Sequence, residues 1–127
     1  MTTIAFDRDI IYVGHKAIAS VRLVEARDPI LLEMVLDTGA AISLLNRYFI
    51  AELGLTLHDG EPIELIVANG DSAPAWIHSI VVDVFGRRLT LDTAICPSWD
   101  TKNLLGMRGF SDQMVVAFDH GNRTIHF

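Results

Sequence analysis

The chain has 127 residues, half of them apolar, and a formal net charge of −6. That length suits a single domain, here spanning 1–127, with a core of its own, and the apolar content excludes a disordered chain. An acidic balance with scattered Lys and Arg gives no electrostatic case for binding nucleic acid or an anionic membrane.

Cys96 is the only cysteine, so no internal disulfide forms, and a small buried side chain is the expected role. Met1-Thr2-Thr3-Ile4-Ala5 carries no apolar signal core, and no stretch has the length and apolarity of a transmembrane helix. A cytoplasmic setting without membrane contact is expected.

Taken in order, Ile10 to Val13 and Ile18 to Val24 read as strands around a turn at Gly14-His15-Lys16. Asp28-Pro29 breaks the chain. Ile30 to Leu36 is apolar except for Glu33, the pattern of a strand buried on both faces, or on one face plus a subunit contact. From Leu44 to Leu53 the period changes: Leu45, Phe49 and Leu53 fall four apart, one face of a short helix that Gly54 would end and Ser43 would N-cap. Pro62 to Ala68 and Ala73 to His78 flank Asn69-Gly70, a hairpin signal because both residues accept positive φ. A second apolar pair, Ile80 to Val84 and Leu89 to Ile95, surrounds Phe85-Gly86-Arg87-Arg88. Cys96 to Lys102 reads as a loop. Arg108 to Gln113 reads as one helical turn, and Met114 to Phe118 and Thr124 to Phe127 as a terminal hairpin. Many short strands with little helix predict an all-β, barrel-like fold.

The chemistry concentrates in Val35-Leu36-Asp37-Thr38-Gly39-Ala40-Ala41. An acid at the mouth of a buried strand loses hydration unless something compensates. Gly39 permits a sharp turn and close approach to its backbone. An Asp in a tight turn can also serve only its own backbone. Elsewhere the residues give little. The five histidines form no paired metal-ligand motif. Ser43 lacks a Gly-x-Ser-x-Gly context, and no phosphate-binding glycine loop is present. No metal or cofactor is expected.

The Asp37-Thr38-Gly39-Ala40 run resembles the active-site motif of aspartic proteases, and Asn103-Leu104-Leu105-Gly106-Met107 resembles their second signature. Together, from about Tyr12 to Phe127, the chain is similar to the retropepsin-like (retroviral-type) single-domain aspartic proteases. Residues 104–127 resemble the cellular and bacterial members more than the viral ones. The resemblance implies a closed all-β barrel with one short helix after the Asp-Thr-Gly loop and another after Leu-Leu-Gly. It implies a homodimer in which Asp37 meets its symmetry mate, Thr38 locks the paired loops, and the Gly39 N–H supports a carboxylate or substrate. Ala40, Ala41, Leu104 and Leu105 would line a cleft for a peptide or protein substrate, and Asn69 and Gly70 would lie on a flap over it. Ala41 and Ile42 stand where viral enzymes often carry acids that hold substrate backbone, so peptide anchoring should differ. A rival expectation keeps the fold and dimer but makes the domain a catalytically silent peptide-binding or adaptor module.

Overall fold

The computed structural model describes residues 4–6, 8–67 and 69–127. Strands β1 (Asp9–Ile11), β2 (Ile18–Leu23) and β3 (Ile30–Leu36) precede the acid, and β4 (Ser43–Leu44) follows it. Next come helix α1 (Phe49–Glu52) and a tight turn at Leu57–Asp59. Strands β5 (Glu61–Ile66), β6 (Ser72–Val84) and β7 (Arg87–Ile95) form two consecutive hairpins. β8 (Leu104–Leu105) carries the second motif, ahead of a wide turn at Met107–Ser111, non-helical at Arg108 and Gly109, and then β9 (Ala117–Asp119) and β10 (Thr124–His126).

The strands β2-β3-β8-β4-β7-β6 hydrogen-bond in that order, and β2 pairs with β6 to close a barrel. β5 continues the sheet outside the ring. β1, β10 and β9 make a separate antiparallel sheet. The alternation of side chains along each strand fills the barrel: Ala19, Val21 and Leu23 from β2 and Leu32, Met34 and Leu36 from β3 are buried. Leu45, Leu91, Ile95, Leu105 and Phe110 complete the same core. No helix among the described residues is long and apolar enough to cross a membrane.

The all-β barrel and its short helical pieces agree with the sequence reading, but several local features differ. Of the two patterns expected for β3, burial on both faces does not hold within the chain, since Leu31 is 70 % exposed. The helix is confined to Phe49–Glu52, because Ser43 and Leu44 join the sheet in parallel register with Thr93 and Ala94. Gly54 ends the helix as its placement suggested, with a φ of 63°. Ser43 therefore caps no helix. Its hydroxyl accepts the Gly106 N–H at 3.0 Å. β1 pairs with β10 instead of folding back on β2, and the Gly14-His15-Lys16 turn is held by one bridge between Val13 and Lys16.

The two central hairpins share one 13-residue strand, β6, with no break between His78 and Ile80. The second hairpin turns on Phe85-Gly86 alone, with φ of 53° and 72°. Two successive positive φ values match the twist of the flanking strands. Phe85 tolerates this unusual backbone while its ring stacks on Phe127 at 4.0 Å. In the first hairpin only Gly70 of the Asn69-Gly70 pair has positive φ. Asn69 acts through its side chain, which accepts the Asp71 N–H at 2.9 Å.

Candidate active site

Asp37 leaves the barrel directly after β3. Its N–H donates to the Leu105 carbonyl at 2.9 Å, which extends the parallel pairing of β3 with β8 by one more bond. Further bonds tie the two motifs together: Met107 N–H to Ala40 O at 2.9 Å and Arg108 N–H to Ala41 O at 3.0 Å. The bond from Gly106 to the Ser43 hydroxyl lies among them. Gly106 has no room for a side chain, since a Cβ there would stand 2.4 Å from the Ile42 carbonyl atoms. Two short motifs far apart in sequence thus form one rigid loop pair.

The Asp37 side chain is half-buried, and its Oδ1 accepts the Gly39 N–H at 2.9 Å. A Cβ at Gly39 would lie 3.2 Å from that same oxygen, so glycine keeps the carboxylate uncrowded. Asp37 forms no ion pair among the described residues.

Asp37 opens into a cleft of about 800 Å³. Its floor is the acid loop, with Gly39, Ala40, Ala41 and Ile42, together with Leu44 and Leu104. The β5–β6 hairpin contributes Leu65, Ile66, Val67 and Asp71. The loop before β8 contributes Trp99, Asp100, Thr101 and Lys102. A mainly apolar groove with a few polar groups is the usual form of a ligand site. The other two acids in the cleft have partners of their own: Asp71 accepts from the Asn69 amide at 3.1 Å, and Asp100 pairs with Arg47 at 3.0 Å.

Among the site residues drawn from the sequence, Asp37, Gly39, Ala40, Ala41 and Leu104 lie together in this cleft. Leu105 lies beneath it, 1 % exposed, and faces the core. Thr38 is exposed on the other side of the loop, beside His15, Lys16 and His120. Asn69 and Gly70 occupy the exposed hairpin tip, while their neighbours Val67 and Asp71 reach the cleft. The sequence reading passed over Leu65, Ile66, Asp100, Thr101 and Lys102. Trp99 lines the cleft and also packs on Ala73, Ala75 and Cys96. Trp76 packs edge-on against His58 at 4.3 Å, away from the cleft lining. The described residues contain no cluster of three or more groups suited to hold a metal.

A closed β-barrel that sets an Asp-Thr-Gly loop against a Leu-Leu-Gly strand is the architecture of retropepsin-like aspartic proteases. The family described as "gag-polyprotein putative aspartyl protease" matches residues 28–112, more than half of the chain and inclusive of both motifs, and the chain belongs to that family. The match begins ahead of β3 and ends just after the wide turn, so it is shorter than the similarity traced from the motifs. No curated protein matches the sequence.

Proposed function

We propose that this protein is an aspartic endopeptidase that hydrolyses peptide bonds as a homodimer. The observation that carries the reading is the position of Asp37: one carboxylate, backbone-supported, at the floor of a peptide-sized cleft, with both other cleft acids already engaged. Water activation between carboxylates needs two, one ionised to take a proton and one protonated to polarise the scissile carbonyl. A two-fold axis beside the loop supplies the second from an identical chain. Adjacent carboxylates share one proton, so the rate falls at alkaline pH as that proton leaves.

In this arrangement Thr38, exposed on the far side of the loop, faces the partner loop, and the Gly39 N–H holds the carboxylate. The β5–β6 hairpin serves as the flap, because Leu65, Ile66 and Val67 line the cleft from that side. The extended substrate lies along Ala40, Ala41 and Leu104. Neither metal nor cofactor takes part.

The test is Asp37→Asn, with cleavage of a peptide library read by mass spectrometry and dimerisation by sedimentation. Loss of all cleavage with the dimer intact is the expected result. Retained cleavage overturns the mechanism. A wild-type protein that binds peptides without cutting any of them is instead the silent binding module.

A further inference from the structure

The loop from Pro97 to Asn103 forms one wall of the cleft, and it is held in place by two residues just after β4. The Asn46 N–H donates to Asn103 Oδ1 at 2.8 Å, and the Asn46 amide donates to the Thr101 carbonyl at 2.8 Å. Arg47 Nη1 donates to the Pro97 carbonyl at 2.9 Å, and its Nε pairs with Asp100 at 3.0 Å. Lys102 sits between two of these anchors, Thr101 and Asn103. Its backbone position is therefore fixed while its side chain remains exposed.

Among the described residues Lys102 is the only basic side chain lining the cleft, and it forms no ion pair with any of them. The nearest acid in sequence, Asp100, is already neutralised by Arg47. In a chain of net charge −6, this ammonium stands unpaired at the wall of a mainly apolar groove. The hairpin contributes Asp71 to the same cleft, which disfavours a second acid on that side.

We propose that Lys102 is a specificity-determining residue that reads a carboxylate in the bound peptide. The carboxylate is an Asp or Glu side chain close to the segment held at Asp37, or a free C-terminus. The inference rests on the cleft being a peptide site and does not need hydrolysis.

Peptide pairs that differ only in Glu or Gln at one position are titrated against the Asp37→Asn protein by fluorescence anisotropy, so that binding is read without turnover. The Glu member should bind up to about fivefold tighter, the range of an exposed ion pair. Raising the salt from about 0.05 to about 0.5 M should narrow that ratio. Lys102→Met should bring the ratio to about one, and Lys102→Glu should invert it in favour of a Lys-bearing peptide. C-terminally amidated peptides separate the two sources, because a preference that disappears on amidation belongs to the chain end. A Glu/Gln ratio unchanged by Lys102→Glu overturns the proposal, as does the absence of binding by every carboxylate-bearing peptide. Should the wild type cleave nothing while the ratio holds, the endopeptidase reading fails and the Lys102 reading stands.

Discussion

The side chain of Ser43 is the smallest part on which the site depends. It is fully buried, and its oxygen is the acceptor for the Gly106 N–H. Ser43→Ala leaves that N–H buried without a partner, a loss of about 1–3 kcal/mol. Gly106→Ala should be worse, because the added methyl meets backbone at 2.4 Å from Ile42 and 2.8 Å from Ser43, and neither atom can rotate away. Overpacking against fixed backbone should cost about 3 kcal/mol. Gly121→Ala is the control, since its methyl would meet only Asp119 Oδ1 at 3.7 Å. Urea midpoints for the three variants check the order, and a Gly106→Ala protein as stable as Gly121→Ala would contradict it. Asp37 and Gly106 were legible in the sequence because their motifs are local. The Ser43 contact was not, because its partner lies 63 residues away, and a serine beside an apolar run looks like a cap.

At the scale of elements, the β6–β7 hairpin is fastened on its outer face by a two-point contact. Arg88 donates through Nε at 2.9 Å and Nη2 at 3.2 Å to the two oxygens of Asp83. That hydrogen bond outweighs the opposing effect of burial and, with lesser help from the charges of Arg88 and Arg22, holds the Asp83 carboxyl below its ordinary range. Asp119 is lowered as well, first by the Asn122 side chain and then by its backbone. A carboxyl lowered in the folded state adds stability above its unfolded pKa, and that stability is lost as pH falls through the folded value. Asp83→Asn should therefore lower stability slightly at neutral pH and converge with wild type in acid, which flattens the acid limb of the stability–pH curve below about pH 5. The effect is small because Arg88 is 62 % exposed. Thermal melts from neutral to acid pH read it, and an acid limb as steep as wild type removes Asp83 from the account. Both hairpins were visible as apolar runs around glycine-bearing turns. Their union through β6 was not, since Ser79 interrupts the pattern yet sits on the exposed face. The loop carrying Trp99 and Lys102 was readable only as a loop. Nothing local in it shows that Asn46 and Arg47 fold it against the cleft.

At the scale of the whole molecule, the barrel is self-contained while the proposed chemistry is not. The core of Leu23, Met34, Leu91, Leu105 and Ile125 closes within one chain, yet among the described residues the cleft offers Asp37 no second unengaged acid. A chain that needs its symmetry mate gives a signature distinct from that of a chain working alone. When wild-type and Asp37→Asn subunits are mixed in equal amounts and allowed to exchange, random pairing leaves about one quarter of the dimers with both acids. Activity per wild-type subunit should then fall to about half, and dilution below the dimer dissociation constant should abolish it. Independent monomers would show neither effect, because each intact cleft would keep its rate whatever surrounded it. A stable dimer that never exchanges imitates independence in the mixing arm, so the subunits are combined in urea and refolded together before assay. Activity per wild-type subunit unchanged after that treatment would leave Asp37 without its partner and would end the shared-site mechanism.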